Sequence, residues 1–162
     1  MSDKRIITLN ADELQAYEPN RYPFLYIDRV TECVPGEYAK GYKNFTQNEW
    51  FFPKHYKDHA FVPAAIQTET LSQMITIPFT TMPDVEDINV VGSRWSAAFH
   101  REICPGDRLD IEAYVKSYHR GVGKGYARSY VDGELACTVE LTLIVPGEFS
   151  KYRRENMSAR KK

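Results

Sequence analysis

One segment of this chain can form a long helix, and nearly everything after it follows the two-residue period of a strand. The helix candidate is PAAIQTETLSQMITI, residues 63–77. Proline is favoured at a first helical position, where its missing N–H costs nothing. Pro78 predicts the end, because a proline cannot continue a helix without a kink. The span is about 15 residues, or roughly 22 Å at the helical rise. Leu71, Met74, Ile75 and Pro78 give it one apolar stripe. Downstream, Leu109, Ile111, Ala113 and Val115 alternate with Asp110, Glu112, Tyr114 and Lys116, as in a strand with one buried face. Leu135, Cys137, Val139, Leu141, Leu143 and Val145 alternate in the same way, and Asp132-Gly133 ahead of them is a two-residue hairpin signal. Residues 88–99 and 126–131 read as further strands, with Gly121, Gly123 and Gly125 loosening the turn before the latter. Upstream, residues 25–34 and 38–46 read as strands on either side of the Pro35-Gly36 turn, and residues 11–17 as a short helix. One long helix against about six strands predicts an α+β fold, an antiparallel sheet wrapped on a central helix. A dimer joined edge to edge would remove an exposed edge strand.

The 162 residues fit a single domain with one core. A formal charge of −1 gives no global field for nucleic acid or a membrane surface. The 11 tyrosines and 8 phenylalanines suit a half-buried sheet or a sizeable interface. No apolar run approaches the roughly 18 residues of a membrane span, and the first residues lack the apolar stretch of a signal peptide. Cys33, Cys104 and Cys137 are odd in number and widely spaced, as expected of reduced thiols in a cytoplasmic protein. The last twelve residues carry six basic side chains and one acidic, and read as a solvated, frayed tail.

The candidate chemistry lies in FFPKHYKDHAFVPAAIQTETLSQM, residues 51–74. His55 and His59 have the spacing of helical zinc ligands, but prolines bracket them and no HExxH or nearby cysteine accompanies them, so no metal is expected. Ser72 sits in no GxSxG, and GVGKG at 121–125 reads as a turn rather than a phosphate loop. Acid–base work is left. Histidine titrates near neutrality. Glu69 on a buried helix face would be a stronger proton holder through desolvation. The unpaired N–H groups of Ala64, Ala65 and Ile66 at the helix start suit a developing oxyanion. On the residues alone, a lone glutamate on a helix is just as well a solvated surface group.

RYPFLYIDRV, KNFTQNEWFFPKH, VPAAIQTETLSQ, AAFHREICPGDRLDIE and YVDGELACTVELTL occur in the order and spacing of the 3-hydroxyacyl-acyl carrier protein dehydratases, which the chain resembles over residues 21–145. The resemblance implies a hot-dog fold: one domain over residues 1–162, with a core at about 21–146 and the basic tail at 147–162. His55 matches the family's catalytic histidine and Glu69, 14 residues on, its glutamate. A related branch that also isomerises its product has aspartate there. The implied reaction removes water from a 3-hydroxyacyl thioester to leave the trans-2-enoyl thioester. His55 takes the α-proton, protonated Glu69 helps the hydroxyl leave, and the Ala64 N–H polarises the carbonyl. No cofactor is implied. The implied partners are an acyl carrier protein, or coenzyme A in its place, and a second copy of the chain. Each site then takes its histidine from one protomer and its glutamate from the other, with trimers of dimers as a larger assembly.

Tyr56, His59, Val62, Pro63, Ala65, Thr68 and Gln73 are the expected pocket residues. Carrier proteins are acidic, so Arg94, Arg101 and Lys124, with Lys54 and Lys57, are candidates for docking, although surface cations are ordinarily only solubilising. The chain departs from the family in two places. His55-Tyr56-Lys57-Asp58-His59-Ala60 replaces a His-Phe-Pro-Gly-His-Pro run, and Ala64 replaces a glycine. Gln67, Thr68, Thr70 and Ser72 also make the helix more polar, which points to a short, polar or otherwise specialised acyl group. A hot-dog thioesterase and a catalytically inactive acyl-binding subunit are the alternatives, since one fold hosts several functions.

Overall fold

The computed structural model describes residues 5–56 and 58–159. Lys57, residues 160–162 of the basic tail and residues 1–4 lie outside the described residues. Strand β1 (Ile7–Leu9) and helix α1 (Ala11–Leu14) come first, followed by β2 (Arg29–Val34) and β3 (Tyr38–Asn44). A 3-10 turn (Phe52–Lys54) leads to the long helix α2 (Ala64–Thr80). Then come β4 (Val91–Phe99), β5 (Arg108–His119), β6 (Val122–Val131), β7 (Glu134–Ile144) and helix α3 (Pro146–Ala159). The strands form one antiparallel sheet in the order β1-β2-β3-β5-β6-β7-β4. This is the hot-dog arrangement expected, with seven strands instead of six. The added strand, β1, is only three residues long, too short to show a period.

Helix α2 packs on the sheet, against β2, β3, β5, β6 and β7. Gln67 and every residue from Thr70 to Thr80 are buried, so the helix has no solvated face over that length. That all-round burial replaces the single stripe expected. Its buried hydroxyls are satisfied by its own backbone. Thr70 Oγ1 donates to the Ile66 carbonyl at 2.7 Å, and Ser72 Oγ to the Thr68 carbonyl at 2.7 Å. The sheet comes close because β6 has glycine where it faces the helix. A β-carbon on Gly125 would lie 2.6 Å from Ile75, and one on Gly123 would lie 2.8 Å from Phe79. These glycines belong to a strand, not to the turn expected of them; the turn is Arg120-Gly121, both at positive φ.

Three further expectations are corrected. Helix α2 continues through Pro78 to Thr80. The ring removes one donor, the one that the Met74 carbonyl would accept. Two bonds from Thr81 to the Ile77 carbonyl, from its N–H at 3.0 Å and its hydroxyl at 2.7 Å, seal the last turn. Residues 25–28 lie outside β2: the Tyr26 N–H donates to the Gln73 side chain at 2.8 Å instead of to a strand, and the chain reaches β3 at Asp28, whose N–H donates to the Tyr42 carbonyl at 3.0 Å. The C-terminal segment is helical over Pro146–Ala159, not frayed throughout. Proline suits its first position, Asp87 Oδ2 accepts the Gly147 N–H at 3.2 Å, and the Arg120 guanidinium stacks over the Tyr152 ring at 4.1 Å.

The sheet ends at β4, which pairs with β7 on one side only. Every residue of β4 except Gly92 is exposed, including Val91, Trp95 and Phe99. No helix among the described residues is long and apolar enough to cross a membrane.

Candidate active site

The segment ahead of α2 is anchored by two aromatic side chains. Phe51 and Phe52 are buried, with ring centroids 4.7 Å apart. They hold the 3-10 turn, and His55 follows it in an extended conformation (φ −115°, ψ 102°). The imidazole packs edge-on against Phe61, 4.8 Å between centroids, and against Tyr56 at 4.6 Å. Its Nε2 is buried and has no hydrogen-bond partner among the described residues. A buried polar atom left unpaired is costly, and marks a position where a partner group belongs. Tyr56 has a φ of +53°, stacks on Phe61 and leaves its side chain largely exposed.

Glu69 lies in the second turn of α2. Gln73, one turn further on, donates from Nε2 to Glu69 Oε1 at 3.0 Å and to the Phe24 carbonyl at 2.7 Å. With Oε1 accepting the Tyr26 N–H at 2.8 Å, the Gln73 amide is pinned at three points. Glu69 opens on a cavity of about 100 Å³ whose polar lining is Glu18, Asn20, Glu69, Ser72, Gln73 and Thr76. Ala64 lines another, of about 380 Å³, together with Phe61, Gln67, Phe99 and Arg101. Neither cavity includes His55, so neither brings the imidazole and the carboxyl together within one chain.

The other expected pocket residues divide. Pro63 is the N-cap of α2, not its first helical residue, and leaves the Ala64 N–H free of any acceptor within the helix. Ala65 is exposed, and the Thr68 hydroxyl is occupied by the Ala64 carbonyl at 2.9 Å. Val62 is buried in the core and does not line the Ala64 cavity; its carbonyl accepts from Gln67 Nε2 at 2.9 Å. Gln67, also on the Ala64 cavity, has its Oε1 buried with no hydrogen-bond partner among the described residues. His59 is turned away to an exposed pair with Glu102 at 2.6 Å, so it is a surface group in this chain. Of the docking candidates, Arg94 and Lys124 share a groove of about 550 Å³ with Lys116 on the outside of the sheet. Arg101 edges the Ala64 cavity and is paired with Glu134 at 2.7 Å. Lys54 is exposed at the end of the 3-10 turn.

Glu18 is the site residue that sequence reasoning missed. It stands in a loop just ahead of the RYPFLYIDRV block, where a charged residue carries no periodic signal. It is 2% exposed. Burial pushes its carboxyl above the usual carboxylate range, against the bonds from Asn20, and the charge of Glu69 pushes the same way. Thiol chemistry has no support here: burial raises the Cys33 and Cys104 thiols and pushes the Cys137 thiol up to about 12. Among the described residues no group of three or more His, Cys, Asp or Glu side chains is placed to hold a metal ion.

An antiparallel sheet wrapped on one long helix defines a hot-dog protein, here with an imidazole ahead of the helix and a carboxyl in its second turn. The chain belongs to the 3-hydroxyacyl-[acyl-carrier-protein] dehydratase family. A family model described as a FabA-like domain matches residues 18–140. The 3-hydroxyacyl-[acyl-carrier-protein] dehydratase FabZ of Clostridium novyi is 37% identical over 140 residues, covering 86% of this chain and 99% of that protein. The FabZ of Nitratidesulfovibrio vulgaris is 34% identical over 148 residues, covering 90% of this chain and 96% of the relative. Among solved structures, the dehydratase heterocomplex ApeI:P from Xenorhabdus doucetiae matches the fold with a TM-score of 0.70 at 14% identity, over 82% of this chain and 90% of that one.

Proposed function

We propose that the chain is a hydro-lyase that converts a 3-hydroxyacyl thioester on an acyl carrier protein to the trans-2-enoyl thioester. The observation that carries the assignment of its base is the orphaned Nε2 of His55. An imidazole with a free Nε2 lone pair takes the proton from C2 of the substrate. The C2–H electron pair forms the new double bond as the C3–O bond breaks. Glu69 gives a proton to the departing hydroxyl, and water leaves. The Ala64 N–H at the start of α2 meets the thioester oxygen as charge gathers there.

The two acid–base groups meet across two protomers. Glu69 and His55 do not share either described cavity, and β4 offers an unpaired, exposed edge with three large apolar side chains. A second copy laid against that edge continues the sheet and brings the histidine of one chain toward the glutamate of the other. Arg101, beside the Ala64 cavity, and the Arg94–Lys124 groove are the basic groups set to meet an acidic carrier. The Glu69 cavity, about 100 Å³ within one chain and walled in part by Glu18, Asn20, Ser72, Gln73 and Thr76, supports a short or polar acyl group.

The test follows enoyl thioester formation from a 3-hydroxyacyl carrier-protein thioester, with His55→Ala and Glu69→Ala beside the wild type. Each substitution is expected to lower kcat/KM by about 10²- to 10⁴-fold, the range of a lost general acid or base. Release of free thiol in place of enoyl product would mark hydrolysis and overturn the assignment, as would full activity in both variants.

A further inference from the structure

The cavity beside Glu69 has a second carboxyl in its wall, and the mechanism above does not use it. Glu18 Oε1 is well satisfied, accepting the Asn20 N–H at 2.9 Å and Asn20 Nδ2 at 2.7 Å. Oε2 is not. Its donor is Thr76 Oγ1 at 3.3 Å, and that hydroxyl lies closer to the Gln73 carbonyl, at 2.8 Å. A hydroxyl has one proton to give. With that proton on Gln73, Oε2 lacks a full-strength donor. None of the groups on Glu18 is a cation: the Arg21 guanidinium, close in sequence, donates to the backbone carbonyls of Gln15, Glu18 and Asn20.

A buried carboxyl with no cation destabilises a fold, and an apolar side chain of similar size would serve the packing better. Its value lies in what the cavity binds. The apolar part of the wall comes from Val90, Trp95 and Leu141, which suit methylene groups. The Trp95 N–H is already given to Ser72 Oγ at 3.0 Å, and the Ser72 proton to the Thr68 carbonyl at 2.7 Å, so these two offer a ligand no free donor. Beside the Glu69 carboxyl, Glu18 Oε2 is an acceptor that this wall holds open to a ligand.

We propose that Glu18 makes this cavity a subsite for an acyl chain bearing a hydrogen-bond donor, a hydroxyl or an amine, beyond the reacting C2–C3 bond. Glu18 is then a specificity residue of the dehydration reaction, and this assignment rests on the dehydratase reading above. An alkyl chain in the same place leaves buried Oε2 with only the long bond from Thr76. A site built to bond a polar group discriminates strongly against the analogue that lacks it.

The experiment compares kcat/KM for two 3-hydroxyacyl thioesters of one short chain length, one alkyl and one carrying a terminal hydroxyl. Wild type, Glu18→Gln and Glu18→Leu are measured side by side. The wild type is expected to favour the hydroxylated chain by about 10-fold or more, and Glu18→Leu to reverse that preference. Glu18→Gln keeps an acceptor oxygen and is expected to keep the wild-type direction, which a purely structural role would not require. Should Glu18→Leu fail to fold, the wild-type ratio and that of Glu18→Gln decide. Equal use of both chains by the wild type, or a ratio that Glu18→Leu leaves unchanged, overturns the subsite alone. Dehydration of neither chain overturns the dehydratase reading and the subsite with it.

Discussion

Gln73 holds Glu69 from one helical turn away, its Nε2 3.0 Å from Glu69 Oε1. The same amide is tied to the backbone of residues 24 and 26, so the carboxyl inherits the rigidity of the sheet entry. Gln73→Leu removes both effects. It leaves the Tyr26 N–H buried without an acceptor, a cost of about 1–3 kcal/mol. Activity is expected to fall mainly in kcat, because the substitution loosens a reacting group without touching the carrier. Urea unfolding and a KM-against-kcat comparison check both parts; unchanged kcat would remove Gln73 from the mechanism.

Subunit mixing tests the shared site. His55→Ala and Glu69→Ala protein, each expected to keep at most about a hundredth of the activity, are unfolded together and refolded as a mixture. If sites combine a histidine and a glutamate from different chains, half the dimers are mixed and each holds one intact site. About a quarter of wild-type activity is then expected, by simple pairing in a two-fold dimer. A mixture as inactive as its parents would place both groups in one chain.

The β4 edge gives a separate handle. Val91 and Phe99 are exposed by 54% and 46% on a strand with one free side. Charged residues on an edge block pairing with another edge. The double substitution Val91→Lys, Phe99→Lys is expected to convert dimer to monomer in sedimentation, with activity lost in parallel. A wild type that sediments as a fully active monomer would contradict the shared site.

The succession of strands along the chain was legible because period-two alternation in residues 109–116 and 135–145 is a local signal with one buried face, whereas their order in the sheet, with β4 beside β7, was not. Asp132-Gly133 was legible for the same reason: both residues adopt positive φ in a two-residue turn. What failed depended on distant packing. Gly123 and Gly125 read as turn residues until Phe79 and Ile75 are seen to lie where their side chains would be. Pro78 read as a stop, yet the helix passes it because the surrounding sheet buries the last turn. The polar run in α2 read as a set of open hydrogen-bonding groups, whereas the hydroxyls of Thr68, Thr70 and Ser72 are spent on carbonyls one turn back. His55 and Glu69 were found through resemblance; spacing alone left them ambiguous. Glu18 had no local signal, because its burial is created by α2 and by the segment around β4.

Glu18 also makes a prediction about stability. Its carboxyl is raised above 4.5 by burial first and by the Glu69 charge as a further push. The folded state therefore holds this proton to a higher pH than the unfolded chain does. Between the unfolded value and the raised folded value, the folded protein binds more protons, so stability falls as pH rises. The contribution is complete below the unfolded value and gone once the folded carboxyl has ionised. Glu69 is the charged group that acts on it, while Asn20 and Thr76 favour the ionised form and narrow the window. Glu18→Gln cannot ionise and is expected to show no such decline. Urea unfolding from about pH 4 to pH 8, read as the difference between wild type and Glu18→Gln, cancels the other titrating groups. The wild type should lose ground to the variant as pH rises. A difference that stays constant, or that grows in favour of the wild type, would show that the Glu18 carboxyl is solvated or paired in solution, and would remove it from the cavity wall.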